Sequence, residues 1–116
     1  MCREVIIHIG LHKTGTTSIQ GFAADHRQEL AEAGICYPVA GSFPWYPAHH
    51  GIAWQARGDV RFDPAYGGIE EAIRELLESP APVGLISSED FSWLAGAPLT
   101  LRSFRDRLRA AGLRIR

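Results

Sequence analysis

A β-branched run, Val5 to Ile9, meets glycine at position 10; a second glycine follows at 15 and a helical pattern begins near Ser18. An apolar, β-branched run bounded by glycine reads as a strand buried on both faces. Strand, glycine-containing loop and helix start, in that order, aim backbone amides and a helix N-terminus at one point. Such a point holds an anion, because the amides face inward and the helix end adds partial positive charge.

The loop, Gly10 to Thr17, is close to the nucleotide-binding P-loop and departs from it in one place. That pattern has Gly, four residues, Gly, Lys, then Ser or Thr. Gly10 and Gly15 keep the spacing and Thr17 keeps the hydroxyl, but Thr16 stands where the lysine belongs. The lysine is Lys13, in the crown of the loop, where it reaches an anion from the other side. The expectation is a phosphate site whose triphosphate clamp has been rearranged.

Residues 8 to 20 resemble the 5′-phosphosulfate-binding loop of sulfotransferases, above all the bacterial and carbohydrate members, where Lys-Thr-Gly-Thr-Thr recurs. The resemblance implies a P-loop-like α/β fold. It also implies 3′-phosphoadenosine 5′-phosphosulfate as donor substrate, a hydroxyl acceptor that includes carbohydrate, and no metal. On the same basis Lys13 contacts the transferring sulfuryl group and its bridging oxygen, while Gly15, Thr16 and Thr17 cradle the 5′-phosphate. The candidate donor-binding set is His12, Lys13, Thr14, Gly15, Thr16, Thr17 and Ser18.

The chain has 116 residues, enough for one small domain, and 46% apolar with 22% charged residues is ordinary for a globular protein. A net charge of −1 gives no electrostatic reason to expect nucleic acid or an acidic membrane. Cys2 and Cys36 show neither metal spacing nor a disulfide framework, which suits a reducing compartment. No stretch approaches the ~18 apolar residues of a membrane helix. The expected location is cytoplasmic.

Further along, Ile19, Phe22, Ala23, His26, Leu30 and Ala33 mark one face of a helix over 18–33, closed by Gly34. A brief strand over 35–37 ends at Pro38. Residues 39–54 gather Phe43, Trp45, Tyr46 and Trp54 around prolines, which suits either an acceptor-binding wall or a cover for a hydrophobic edge. His49 and His50 can accept a proton near neutrality. A helix over 69–78 buries Ile69, Ala72, Ile73, Leu76 and Leu77. The next buried strand, Val83–Ser87, runs into Ser88, Glu89 and Asp90.

In an open parallel sheet ligands gather beyond the carboxyl ends of strands, so a carboxylate there can face the ligand of the first loop. Glu89 is the candidate base, with Asp90 and the loop histidine His50 as alternatives. A last helix from Pro98 buries Leu101, Phe104, Leu108 and Ala111, with Arg102, Arg105 and Arg109 outward on a solvated stripe. Leu113 to Arg116 opens another strand.

The alternation predicts an α/β fold, a three-layer parallel sheet with a P-loop-like start, in one domain spanning 1–116 and apparently truncated. The family holds the donor's 3′-phosphate with an Arg and a Ser placed beyond residue 112. Arg114 and Arg116 lie in that region, but the Ser is absent. Two other readings use the same strand, loop and helix: a P-loop kinase or NTPase, and a non-catalytic nucleotide-binding fragment.

Overall fold

The structure, a computed structural model, describes residues 1–9 and 16–116, and of residues 16–18 the backbone alone. Four strands, β1 (Glu4–His8), β2 (Ile35–Cys36), β3 (Val83–Ser87) and β4 (Arg114–Ile115), form one all-parallel sheet in the order β2-β3-β1-β4. The two long strands are central: Glu4 pairs with Val83 and His8 with Ser87. Val5, Ile6 and Ile7 beside Leu85 and Ile86 give both strands the continuous apolar character of parallel sheets.

Alternation along the strands assigns the two faces. Val5, Ile7 and Ile86 point to one face, where they pack with Ile52, Ile73, Leu76 and Leu108. These come from α3 (His50–Arg57), α4 (Ile69–Glu78) and α5 (Pro98–Ala110). Here α4 lies directly on β3, since a Cβ at Gly84 would collide with Leu76 Cδ2. The other face carries His8 and Ser87, and α1 (Thr16–Asp25) meets it through Gln20. Helices therefore approach the sheet from both faces.

Two expectations need correction. The single helix over 18–33 is two, α1 and α2 (Arg27–Glu32), separated at His26, whose φ of −125° and ψ of 34° leave the helical region. Here the chain is drawn toward the following loop: Arg27 donates to Ala24 O, Tyr37 O, Pro38 O and Ser42 Oγ. The buried face also differs. Ile19 and Phe22 are exposed, while Ala23 and Gln20 are buried. Likewise Leu101 is half exposed on α5, whereas Phe104 and Leu108 are in the core.

The helix over 69–78 has the expected bounds. Ala72, Ile73 and Leu76 are its buried residues, and Ser79, extended at ψ 142°, ends it before Pro80. Glu70 and Glu71 occupy its first turn, where carboxylates favour the helix dipole. Asp63 caps a short 3-10 turn, Pro64–Tyr66, by accepting from Ala65 N. The short strand expected over 35–37 is β2.

Candidate functional site

Sheet order determines where a ligand site can form. From β1 the chain crosses over β3 to reach β2, and from β3 it crosses over β1 to reach β4. The two connections leave in opposite directions, so a crevice opens at the carboxyl ends of β1 and β3. His8 and Ser87 are the last pair of that ladder, and Ser88 N–H extends it by donating to His8 O at 3.0 Å. Gly10 to Gly15 continue from one lip of this crevice in the sequence, and Ser88, Glu89 and Asp90 continue from the other.

His49 fixes the second lip. β2 is too short to accompany β3 to its end, and His49 takes its place. Its backbone N–H donates to Ser87 O at 2.7 Å, and its Nδ1 accepts from Ser87 N–H at 3.0 Å. Its Nε2 donates to Pro38 O at 2.7 Å, so both ring nitrogens are used by the neutral form. Burial, with Arg27 and His50 adding to it, pushes the imidazole down to about 4 despite its backbone partners. His49 is a structural group. One residue later α3 begins, and it sits close because Gly51 packs on Gly41, whose carbonyl a Cβ would meet at 2.8 Å.

Anchoring His49 brings His50 over the carboxylates. Its Nδ1 lies 2.5 Å from Ser88 Oγ and 3.7 Å from Asp90 Oδ2, and its Nε2 lies 3.7 Å from Glu89 Oε2. From the opposite face Gln20 Nε2 donates to Glu89 Oε1 at 3.2 Å and to Ser87 Oγ at 3.0 Å. Ser87 Oγ is also 2.8 Å from His8 Nδ1. The Glu89 carboxylate is thus gripped between a glutamine of α1 and a histidine of α3, and only 5% of the residue is exposed. Gln20 is wholly buried, and its Oε1 finds no hydrogen-bond partner among the described residues.

Serine, histidine and carboxylate stand in a row here, but Ser88 is not placed as a nucleophile. It is wholly buried, and its Oγ accepts from Asp90 N–H at 3.1 Å, capping the 3-10 turn Glu89–Gly96. Asp90 is committed differently: its Oδ2 takes the Trp54 indole N–H at 2.7 Å. Of the acidic pair, Glu89 is the one held between the two helices.

No family model matches this chain, and no curated protein or solved structure does.

The histidine and the carboxylate that the sequence offered as alternative bases are brought together. His12, Lys13, Thr14, Gly15, Thr16, Thr17 and Ser18, the expected donor-binding set, lie outside the described residues, Thr16 to Ser18 for their side chains. The aromatic stretch adjoins the cluster. Tyr46 and Trp54 flank the His50 ring at 4.7 and 5.8 Å, Phe43 follows Trp54 at 5.5 Å, and Trp45 stacks on Phe43 at 5.2 Å. Trp45, at the outer end, is 67% exposed. The rings form one wall running from the carboxylates to solvent.

Gln20 and His8 were not singled out by sequence reasoning, and Ser87 stood out only as a neighbour of Glu89. Gln20 did carry a signal, a lone amide one turn beyond the loop and adjacent to apolar positions.

Proposed function

We propose that this chain is a sulfotransferase-like module that transfers a sulfuryl group from 3′-phosphoadenosine 5′-phosphosulfate to an acceptor hydroxyl. The observation that carries the reading is the Gln20–Glu89 bond. It ties the helix that follows the glycine-containing loop to the carboxylate that follows β3, at the crevice where an open parallel sheet gathers its ligands. The loop's resemblance to phosphosulfate-binding loops supplies the donor, with Lys13 as its principal charged contact.

In this reading the acceptor oxygen attacks sulfur, and the bond from sulfur to the bridging phosphate oxygen breaks. The electron pair leaves on the 5′-phosphate, giving adenosine 3′,5′-bisphosphate, and Lys13 offsets the charge that develops there. Glu89 takes the hydroxyl proton, and His50 beside it passes the proton on. The aromatic wall from Tyr46 to Trp45 supports the body of the acceptor, and the apolar C–H face of a sugar ring can stack on it. The reaction needs no divalent metal, since a sulfuryl group carries less charge than a terminal phosphoryl.

Calorimetric titration with adenosine 3′,5′-bisphosphate tests the reading. Wild type should bind, Lys13→Ala should bind at least about tenfold more weakly, and a chelator should change neither. Equal affinity in Lys13→Ala removes the lysine from the site. Loss of binding with chelator favours a P-loop kinase or NTPase. Binding without turnover favours a non-catalytic nucleotide-binding fragment.

A further inference from the structure

On the face of the sheet that carries α5, a groove of about 560 Å³ runs between that helix and strands β1 and β4. Its floor includes Ile7, Ile9, Leu94 and Leu101, and its rim carries Arg102, Arg105, Arg109 and Arg116. Ile9 and Leu101 remain 49% and 45% exposed. No acidic side chain is among the described lining residues. The arginine stripe expected to be plain solvated surface therefore borders an apolar trough.

Charge is only partly compensated there. Arg105 pairs with its neighbour Asp106 at 3.3 Å, an exposed contact of little worth, and Arg116 reaches Glu4 at 2.6 Å. Arg102 and Arg109 have no ion pair among the described residues. They lie two helical turns apart, about 10 Å along the axis. Apolar floor and guanidinium rim call for opposite halves of one ligand. The floor removes hydrocarbon from water, while a guanidinium takes sulfate, phosphate or carboxylate through paired N–H donors. The volume falls within the ~300–1,000 Å³ of small-molecule sites.

We propose that this groove binds an elongated amphipathic anion, an aliphatic body lying on the apolar floor with an anionic head held by the α5 arginines. The proposal is independent of the sulfuryl-transfer reading, because it uses none of the crevice residues.

Decyl sulfate, kept below its micelle concentration, is the probe, and calorimetry is the measurement. Wild type should bind it saturably at one site, and inorganic sulfate should give no measurable heat. The neutral isostere decyl glucoside should bind at least about tenfold more weakly. Replacing both Arg102 and Arg109 by Ser should cost at least about tenfold in decyl sulfate affinity and erase the preference over the glucoside. Leu101→Glu should abolish binding. All three side chains are exposed, so circular dichroism should show unchanged secondary structure in these variants. Equal affinity for sulfate and glucoside in wild type, or undiminished binding in the double variant, overturns the proposal. Pelleting of the protein with anionic vesicles in the absence of decyl sulfate binding overturns it too, in favour of a surface contact.

Discussion

His49 and His50 are one peptide bond apart and belong to different regions of the molecule. His49 lies in the seam between β3 and the loop after β2, wholly buried, with both ring nitrogens spent on backbone groups. His50 lies in the crevice above that seam, beside Ser88, Glu89 and Asp90, with 12% of its side chain exposed. The same imidazole does different work because its partners differ. Burial holds His49 neutral until the pH falls to about 4, with backbone groups as its partners. Carboxylates and a hydroxyl can exchange protons, so on the sulfuryl-transfer reading His50 is the histidine placed for chemistry. One residue builds the end of β3, and the other uses what has been built.

Glu89→Gln tests the crevice side of this contrast and carries the largest expected effect. A positioned base is worth roughly 10²–10⁴ in rate. Sulfuryl transfer from the phosphosulfate donor to an added alcohol should fall by that order, while calorimetric affinity for adenosine 3′,5′-bisphosphate stays within about twofold. Should Glu89→Gln retain full turnover while His50→Ala abolishes it, the histidine is the base.

His49→Phe tests the seam. Phenylalanine fills the space but strands Ser87 N–H and Pro38 O, each loss costing about 1–3 kcal/mol. Chemical denaturation should show about 2–5 kcal/mol of lost stability. The pH dependence gives a second reading. His49 binds its proton at about 4 when folded and near its ordinary 6.5 when unfolded. Between those values the unfolded chain holds more protons, so the contribution is complete above pH 6.5 and is lost as pH falls toward 4. That window is worth about 3 kcal/mol. His49→Phe should flatten it, whereas a His50→Ala variant that flattened it equally would erase the distinction between the two histidines.

Gln20→Leu is the smallest change and the finest test. It keeps the helix and removes one bond each to Glu89 and Ser87, so about 1 kcal/mol of stability is at stake. If Gln20 orients the carboxylate, turnover should drop about tenfold with the acceptor KM unchanged. A proportional rise in KM would instead assign it to the acceptor wall.

Much of the fold was legible because its signals are local. Val83–Ser87 and Ile69–Glu78 announce themselves through β-branching, helical spacing and proline stops, and the glycine-bounded run near the start locates β1 to within a residue. The face of α1 was not legible. Periodicity counts Ile19 and Phe22 as inward and an amide as outward, yet Gln20 can be buried because Ser87 and Glu89 satisfy its nitrogen. Nor could spacing show that His50 meets Glu89. That meeting depends on His49 standing in for a strand beside Ser87, a contact between residues 38 apart that has no pattern in either segment.

The pairing of β1 also governs how such a chain is made. Its two sheet partners lie 79 and 110 residues further along. On a ribosome this apolar strand leaves the exit tunnel well before either neighbour and waits while the intervening residues are made. No local hairpin can shelter it, because every pairing in the sheet is parallel. Loop closure over such spans makes folding slow, and an unpaired apolar strand is an invitation to aggregation while it lasts. Val5 to Ile9 is therefore the segment a holdase chaperone would be expected to capture on the nascent chain, releasing it once Val83 to Ser87 have emerged.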